Sequence, residues 1–136
     1  MKIAIVGASR LTNIEEKTAR ESCEILLKQV VREHGRTKTV LVSGGASGVD
    51  TIAEGVANEL GITCNIHMPT SANWDGYKAR NLKIAQECDV IYCFPTKLKL
   101  EPCYHCGMHD HERSGGCWTV KQAKTLKKEG HVVPLI

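Results

Sequence analysis

Ser43-Gly44-Gly45-Ala46-Ser47-Gly48-Val49-Asp50 is the stretch that decides how this chain folds. The apolar run from Thr39 to Val42 precedes it and reads as a buried strand. Ile52, Ala53, Val56, Ala57 and Leu60 follow at helical spacing. Three glycines between a strand and a helix let the backbone turn tightly and let a ligand approach with no side chain in the way. The helix that follows aims its first N–H groups and its positive dipole end at that space. The pattern predicts a cradle for phosphate or another anion, such as part of a nucleotide.

The same alternation extends in both directions. Lys2 to Val6 is a short apolar run ending at Gly7, the first predicted strand. Thr12 and Glu15 have capping-box spacing, and Ala19, Cys23, Leu26 and Val30 form one helical stripe closed by Gly35. The helix after the glycine loop ends near Gly61. A third strand is expected at Thr63 to His67, stopped by Pro69, and a third helix from Trp74 or Asp75 to Glu87. Asp89 to Phe94 is a fourth strand, Trp118 to Glu129 a last helix capped by Gly130, and His131 to Ile136 a fifth strand. Pro134 cannot donate to a ladder, which puts that strand at an edge.

Five apolar strands alternating with four helices predict an α/β fold: a three-layer, Rossmann-like, doubly wound parallel sheet. Ligands of such sheets bind outside the carboxyl ends of the strands. Those ends carry Gly7-Ala8-Ser9-Arg10, Ser43 to Asp50, Pro69 to Asp75 and the loop ending in Ser114-Gly115-Gly116. No repeat or interdomain linker interrupts residues 1–136, which read as one domain with a Cys/His-rich insertion at 96–116 before the last helix.

The bulk composition agrees. With 42% hydrophobic and 24% charged residues the chain is typical of a globular domain, and 4% aromatics make its core aliphatic. A net charge of +3 tolerates an anionic ligand without marking a nucleic-acid binder. The apolar run before Gly7, Ile3 to Val6, is only four residues long, and no run approaches the roughly 18 residues of a membrane span, so no membrane partner is expected. Seven cysteines, an odd number, without an export signal point to a reducing, cytoplasmic setting and to metal binding over disulfides.

The glycine loop is neither a Walker loop, since no Gly-Lys-Ser/Thr follows, nor the Gly-x-Gly-x-x-Gly dinucleotide fingerprint. The order of signals is more specific than the loop alone. Gly7-Ala8-Ser9-Arg10 follows strand one, and Ser43-Gly44-Gly45-Ala46-x-Gly48-Val49-Asp50 follows strand two. Trp74-x-x-Tyr77 leads to Arg80-Asn81, and Gly115-Gly116-Cys117-Trp118-Thr119 opens the last helix. This order resembles the SLOG superfamily, which groups the DNA-processing protein DprA with Lonely Guy phosphoribohydrolases and small YspA-like proteins. It is most similar to the YspA-like branch.

The resemblance implies a Rossmann-like fold and a nucleotide or nucleotide-derived ligand. It implies that Gly44, Gly45 and Gly48 line the phosphate or ribose path, that Arg80 contacts an anion, and that Asn81 bonds ribose or base. Gly115, Gly116 and Thr119 are implied to hold a second phosphate-like group, and Gly7, Ser9, Arg10, Ser43 and Asp50 complete the ligand set. Two other readings stay open. Ser47-x-x-Asp50 has capping-box spacing, so Asp50 serves either its helix or the ligand, and Arg80 is either solvated or functional. Lonely Guy enzymes carry a Gly-Gly-x-Gly-Thr-x-x-Glu segment whose Glu cleaves the N-glycosidic bond. Here Trp118 replaces the third glycine and Lys121-Gln122 stand where the acid is needed. Neither accepts a proton as a carboxylate does, which argues against the hydrolase unless Asp50 or Asp75 substitutes.

Cys103, Cys106, His111 and Cys117 are spaced C-x2-C-x4-H-x5-C and resemble a zinc knuckle. Mixed thiolate and imidazole ligation favours a structural, four-coordinate zinc, with His109 the alternative third ligand. The leading expectation is therefore a nucleotide-ligand binding protein with structural zinc. An N-glycosidase using another acid is the second. The third is a single-stranded nucleic-acid binder in which Tyr104 and Trp118 stack on bases beside a stripe of Lys97, Lys99, Arg113, Lys121, Lys124, Lys127 and Lys128. The resemblance also implies a homo-oligomer, since related proteins often self-associate, although no interface is legible in the sequence.

Overall fold

The computed structural model describes residues 1–96 and 115–135. The elements run β1 (Lys2–Gly7), α1 (Asn13–His34), a 3-10 turn (Arg36–Lys38), β2 (Val40–Ser43), α2 (Val49–Leu60), β3 (Thr63–Ile66), α3 (Trp74–Glu87), β4 (Val90–Phe94), α4 (Gly115–Thr125) and β5 (Glu129–Val132). All the strands pair in parallel, in the order β3-β2-β1-β4-β5. The chain winds outward from β1 to β3, crosses the sheet, and winds outward again from β4 to β5. The expected doubly wound α/β sheet is present, and the switch point lies between β1 and β4.

Alternation along the strands separates two apolar layers. Ile3, Ile5, Leu41, Val90 and Phe94 face α1 and α2, where they meet Ala19, Cys23, Leu27, Val49, Ala53 and Val56. Ala4, Val6, Val42, Ile91 and Cys93 face α3 and α4, packing on Ile84, Ala85, Cys88, Cys117, Val120 and Ala123. Strands buried on both faces read as continuous apolar runs, as β1 and β4 do. On α1 the buried stripe takes Leu27 where Leu26 was expected, and Leu26 is only partly buried. No helix among the described residues is long and apolar enough to cross a membrane.

Local signals fix most of the boundaries. Thr12 caps α1: its Oγ1 accepts from the Glu15 N–H at 3.2 Å, and Glu15 Oε1 accepts from the Thr12 N–H at 2.9 Å. Gly61 ends α2 in the left-handed conformation. The last helix departs from expectation at both ends. It begins at Gly115, so Gly115 and Gly116 belong to α4 and not to the insertion, and it stops at Thr125. Lys127, at φ 63°, takes the left-handed position that glycine usually fills, and the Lys128 N–H returns to Ala123 O at 2.9 Å. Gly130 therefore lies inside β5, where a Cβ would press on Val120 Cγ1 and Ile91 Cγ2. β5 is an edge strand, as Pro134 required, but it starts two residues earlier than the expected His131. Beyond it, the Leu135 N–H bonds Pro95 O at 2.8 Å.

Thr12→Ala should lower stability by about 1 kcal/mol, because it leaves orphan N–H groups at the start of α1. The measurement is the urea midpoint at unchanged slope. A loss under about 0.3 kcal/mol would mean that packing of α1, and not its cap, sets where the helix starts.

Candidate functional site

The loops after β1, β2, β3 and β4 meet the first turn of α4 around an open cleft of about 650 Å³. It lies at the carboxyl ends of the strands, over the switch point, where this class of sheet binds its ligands. Backbone packing makes the floor. Gly48, at φ 77° and ψ −127°, precedes α2 in a conformation that only glycine holds without strain. A Cβ there would collide with Ala8 O. The Val49 N–H bonds that same oxygen at 3.0 Å, so the glycine loop and the β1 loop lock together. The Ser47 hydroxyl adds a longer bond to Ser9 O at 3.4 Å.

This arrangement replaces the capping box that Ser47 and Asp50 spell out. Gly48 is the cap residue of α2 and no side chain caps the helix. Asp50 turns back into the loop, where its Oδ2 accepts from the Ala46 N–H at 3.3 Å and its carboxylate also takes the Gly44 N–H. It is only 4% exposed. Burial pushes its carboxyl up to about 7, against the opposing pull of the Ala46 and Gly44 amides and of Arg80, with Glu54 adding repulsion. The native state thus holds this proton more tightly than the unfolded chain. The resulting stability is full below the ordinary carboxyl value of 3.8 and is lost as pH rises through about 7.

Helix α3 supplies the opposite wall. Asn73 caps it by accepting from the Gly76 N–H at 3.0 Å, which sets the helical phase. Trp74, Tyr77 and Asn81 then fall at i, i+3 and i+7 on one face, toward the cleft. Arg80 donates through Nε to Asn81 Oδ1 at 2.7 Å and through Nη1 to Gly44 O in a short bond. Its guanidinium also lies 5.6 Å from the centre of the Tyr77 ring. Arg80 is the only cation, and Asp50 the only carboxylate, among the described residues that line the cleft. Trp74 meets Trp118 of α4 edge to face at 5.5 Å. Thr119 donates to Gly115 O at 2.7 Å within the first turn of α4.

The cleft therefore gathers Gly7, Ser9, Gly44, Gly45, Asp50, Arg80, Asn81, Gly115, Gly116 and Thr119 from the expected set. Three residues of that set stand elsewhere. Arg10 is exposed and does not line the cleft, Gly48 lies beneath it, and Ser43 is fully buried with its hydroxyl bonded to Glu54 at 2.5 Å. Asn81, expected to contact ribose or base, spends its carbonyl on Arg80. Asp75 is exposed in the first turn of α3, outside the lining. Met68, Pro95 and Thr96 line the cleft without having stood out in the sequence, although each follows a strand whose carboxyl end points there. Lys128 leaves the basic stripe: its ammonium bonds Cys88 O at 2.6 Å and Gln86 O at 3.2 Å, capping α3. Of the metal set, Cys117 is buried in the layer between α4 and the sheet, while Cys103, Cys106, His109 and His111 lie outside the described residues.

No protein-family profile matches this sequence, and no curated protein does. Solved structures do share its fold. DNA processing protein A (DprA) from Streptococcus pneumoniae superposes with a TM-score of 0.68 at 19% identity, over 98% of this chain and 50% of that one. DprA from Helicobacter pylori, whose structure is described for its single-stranded DNA binding mode, gives 0.62 at 21% over 98% and 65%. TM1055 gives 0.64 at 17% over 95% and 71%. The chain thus spans 50% and 65% of the two DprA chains. At these identities the likeness establishes the fold, which is the one that the order of glycine loops implied.

Gly44 offers the cleanest probe of the cleft. Its φ is not positive, so alanine is acceptable to the backbone, but a Cβ would lie 2.7 Å from Arg80 Nη1 and 2.9 Å from Asp50 Oδ2. Gly44→Ala should displace the guanidinium while the circular dichroism spectrum stays that of the wild type. Anion affinity should drop about tenfold or more, the loss of one charge-assisted bond. Gly45 is a poorer probe, because it combines φ 67° with contacts to Met68 and Ile66 that would strain the loop itself. Unchanged affinity in Gly44→Ala would remove this loop from the site.

Proposed function

We propose that the cleft binds a nucleotide or nucleotide-derived ligand through its phosphate. The observation that carries this reading is the setting of Arg80. The side chain is half-buried and held by Asn81 and Gly44 O, yet a guanidinium has five donors and these two bonds use only part of them. A pre-oriented guanidinium loses little freedom when it grips an oxyanion. The first turn of α4, opened by Gly115 and Gly116, adds amide groups and a positive dipole end on the same cleft. Trp74, 46% exposed, and Tyr77, 37% exposed, offer faces on which a base stacks. The likeness of the glycine loop to the small YspA-like branch supports the same ligand class. Binding requires no catalytic acid, so the absence of an acid from the Lys121-Gln122 stretch does not weigh against it.

Single-stranded nucleic acid is the second reading. It is favoured by the shared fold with DprA, one of whose structures is described as binding single-stranded DNA, and by Trp74 and Tyr77 standing open at the cleft. Lys121 and Lys124 are exposed on α4 and would meet phosphates beyond the cleft. One set of titrations separates the two. Arg80→Ala should weaken AMP binding by about 1.5–3 kcal/mol in calorimetry and leave adenosine nearly unaffected. Equal losses for both would mean that Arg80 supports the fold and does not read phosphate. A short oligonucleotide that binds more tightly than AMP, with affinity falling steeply as salt rises, would favour the second reading.

A structural zinc held by Cys103, Cys106, Cys117 and His111, with His109 as the substitute, forms the second part of the proposal. Its support is the ligand spacing and the soft donor set. Cys117 lies two residues into α4 after Gly115, so a metal bound there would tie the insertion to the first turn of the helix that lines the cleft. Protein purified without chelator should carry one zinc per chain by elemental analysis. Cys106→Ser should lose it and should weaken AMP binding without unfolding the sheet, because it leaves both apolar layers, Cys117 included, in place. Well under one zinc per chain would eliminate the metal site. Zinc loss with AMP affinity intact would eliminate only its coupling to the cleft.

A further inference from the structure

Asp50 has no role in the reading above, and its position calls for one. It is a carboxyl buried to 4% exposure on the wall of a cleft whose only described cation is Arg80. The two do not pair. Asp50 takes its hydrogen bonds from the amides of Ala46 and Gly44, and Arg80 gives its bonds to Gly44 O and Asn81. Yet one atom placed on Gly44 would stand 2.7 Å from Arg80 Nη1 and 2.9 Å from Asp50 Oδ2. The guanidinium and the carboxyl thus flank one point beside Gly44, and an anion seated on the guanidinium there would lie against a carboxyl that is almost wholly buried.

Two negative groups this close, in a poorly solvated site, cannot both stay ionised. We propose that Asp50 is a specificity-determining residue of the cleft: it seats an anion beside Arg80 by taking up a proton, and so grades ligands by the charge they bring. The carboxylate gains one proton from solvent, no other bond changes, and the neutral acid can then donate to a ligand oxygen. A phosphate diester, with one charge, suits this site better than a monoester dianion or a polyphosphate. The inference rests on the nucleotide reading of the cleft and names the charge class within it.

The surroundings of Asp50 leave few competing titrations. Arg80 faces it from α3, Glu54 from its own helix, and Cys23 from α1. Burial pushes the Cys23 thiol up to about 12, so it stays neutral throughout the range of interest. Burial likewise holds Asp50 up to about 7, so the proton it needs is partly in place at neutral pH and costs progressively more above it.

The test uses the whole chain with two probes, AMP and its singly charged 5′-methyl ester. AMP is a dianion above about pH 7, since a phosphate monoester loses its second proton near pH 6. Calorimetry from pH 7.5 to 9, in buffers of different ionisation enthalpy, reads both affinity and protons taken up. The Asp50 side-chain carbon signal in NMR reads its titration directly. The expected result is a midpoint near 7 that moves up by about two units or more with AMP, uptake approaching one proton near pH 8, and AMP affinity falling several-fold up to tenfold per pH unit. The methyl ester should show a smaller dependence. In Asp50→Asn, checked for fold by circular dichroism, the AMP dependence should flatten and the preference for the ester over AMP at pH 9 should shrink. AMP binding with no proton uptake, or with the same pH slope in Asp50→Asn, overturns this inference and leaves the nucleotide reading standing. No binding of either probe at any pH, with Asp50 still titrating near 7, overturns the nucleotide reading and this inference with it.

Discussion

Backbone packed on backbone is the constraint from which the cleft follows. Gly48 lies against Ala8 and Ser9, and Gly7 lies against Phe94 O at the end of β4, both with no room for a Cβ. These contacts bring the loops after β1, β2 and β4 within a few ångströms of one another just where the strand order reverses. With side chains at either position the loops would splay, and the Val49 N–H could not reach Ala8 O. The first turn of α2 is stapled to β1 by that bond in place of a side-chain cap. Asp50 is thereby freed from capping and turned into the loop.

A second consequence concerns electrostatics. A cation held by two neutral acceptors, Gly44 O and the Asn81 carbonyl, keeps its full charge directed at the cleft, whereas an arginine paired to a carboxylate would be half neutralised. The cost is a buried acid nearby without a counter-ion of its own. The loop meets that cost with two backbone amides, which lessen the desolvation of Asp50 without cancelling it. Charge at this site is thus governed by which partners are withheld as much as by which are supplied.

Much of this was legible in the residues. Strands buried on both faces announce themselves as apolar runs, and the Thr12-Glu15 box and Gly61 are local devices that need no tertiary context. The glycine loop and Arg80-Asn81 pointed to the cleft because their order along the chain matches the order of strand ends. What failed were inferences in which a local signal was overridden from a distance. Ser47-x-x-Asp50 spells a cap, but the β1 loop already satisfies the helix. Gly130 spells a helix end, but Lys127 takes the left-handed turn and the glycine is needed where β5 crosses Val120. Lys128 looks like one of a row of solvated lysines, and only the arrangement of α3 beside β5 shows its ammonium closing that helix. The bond from Arg80 Nε to the Asn81 carbonyl joins neighbours in sequence, yet nothing in the sequence told which partner Asn81 prefers.

The two faces of the sheet divide the labour unequally. Helix α1 and most of α2 pack Ala19, Cys23, Leu27, Ala53 and Val56 against β1 and β2 and send no side chain into the cleft beyond the first turn of α2. Helices α3 and α4 carry the aromatic and cationic positions that line it, with Gly115 and Gly116, while Gly7, Gly44 and Gly45 line it from the ends of β1 and β2. Apart from the first turn of α2, which brings Asp50 to the cleft, residues on the first pair are thus answerable only to packing, while those on the second answer to packing and ligand together. Over generations the buried α1–α2 face can drift through any aliphatic set of the right volume, and a new ligand preference would arise on α3, α4, the strand-end loops and the first turn of α2.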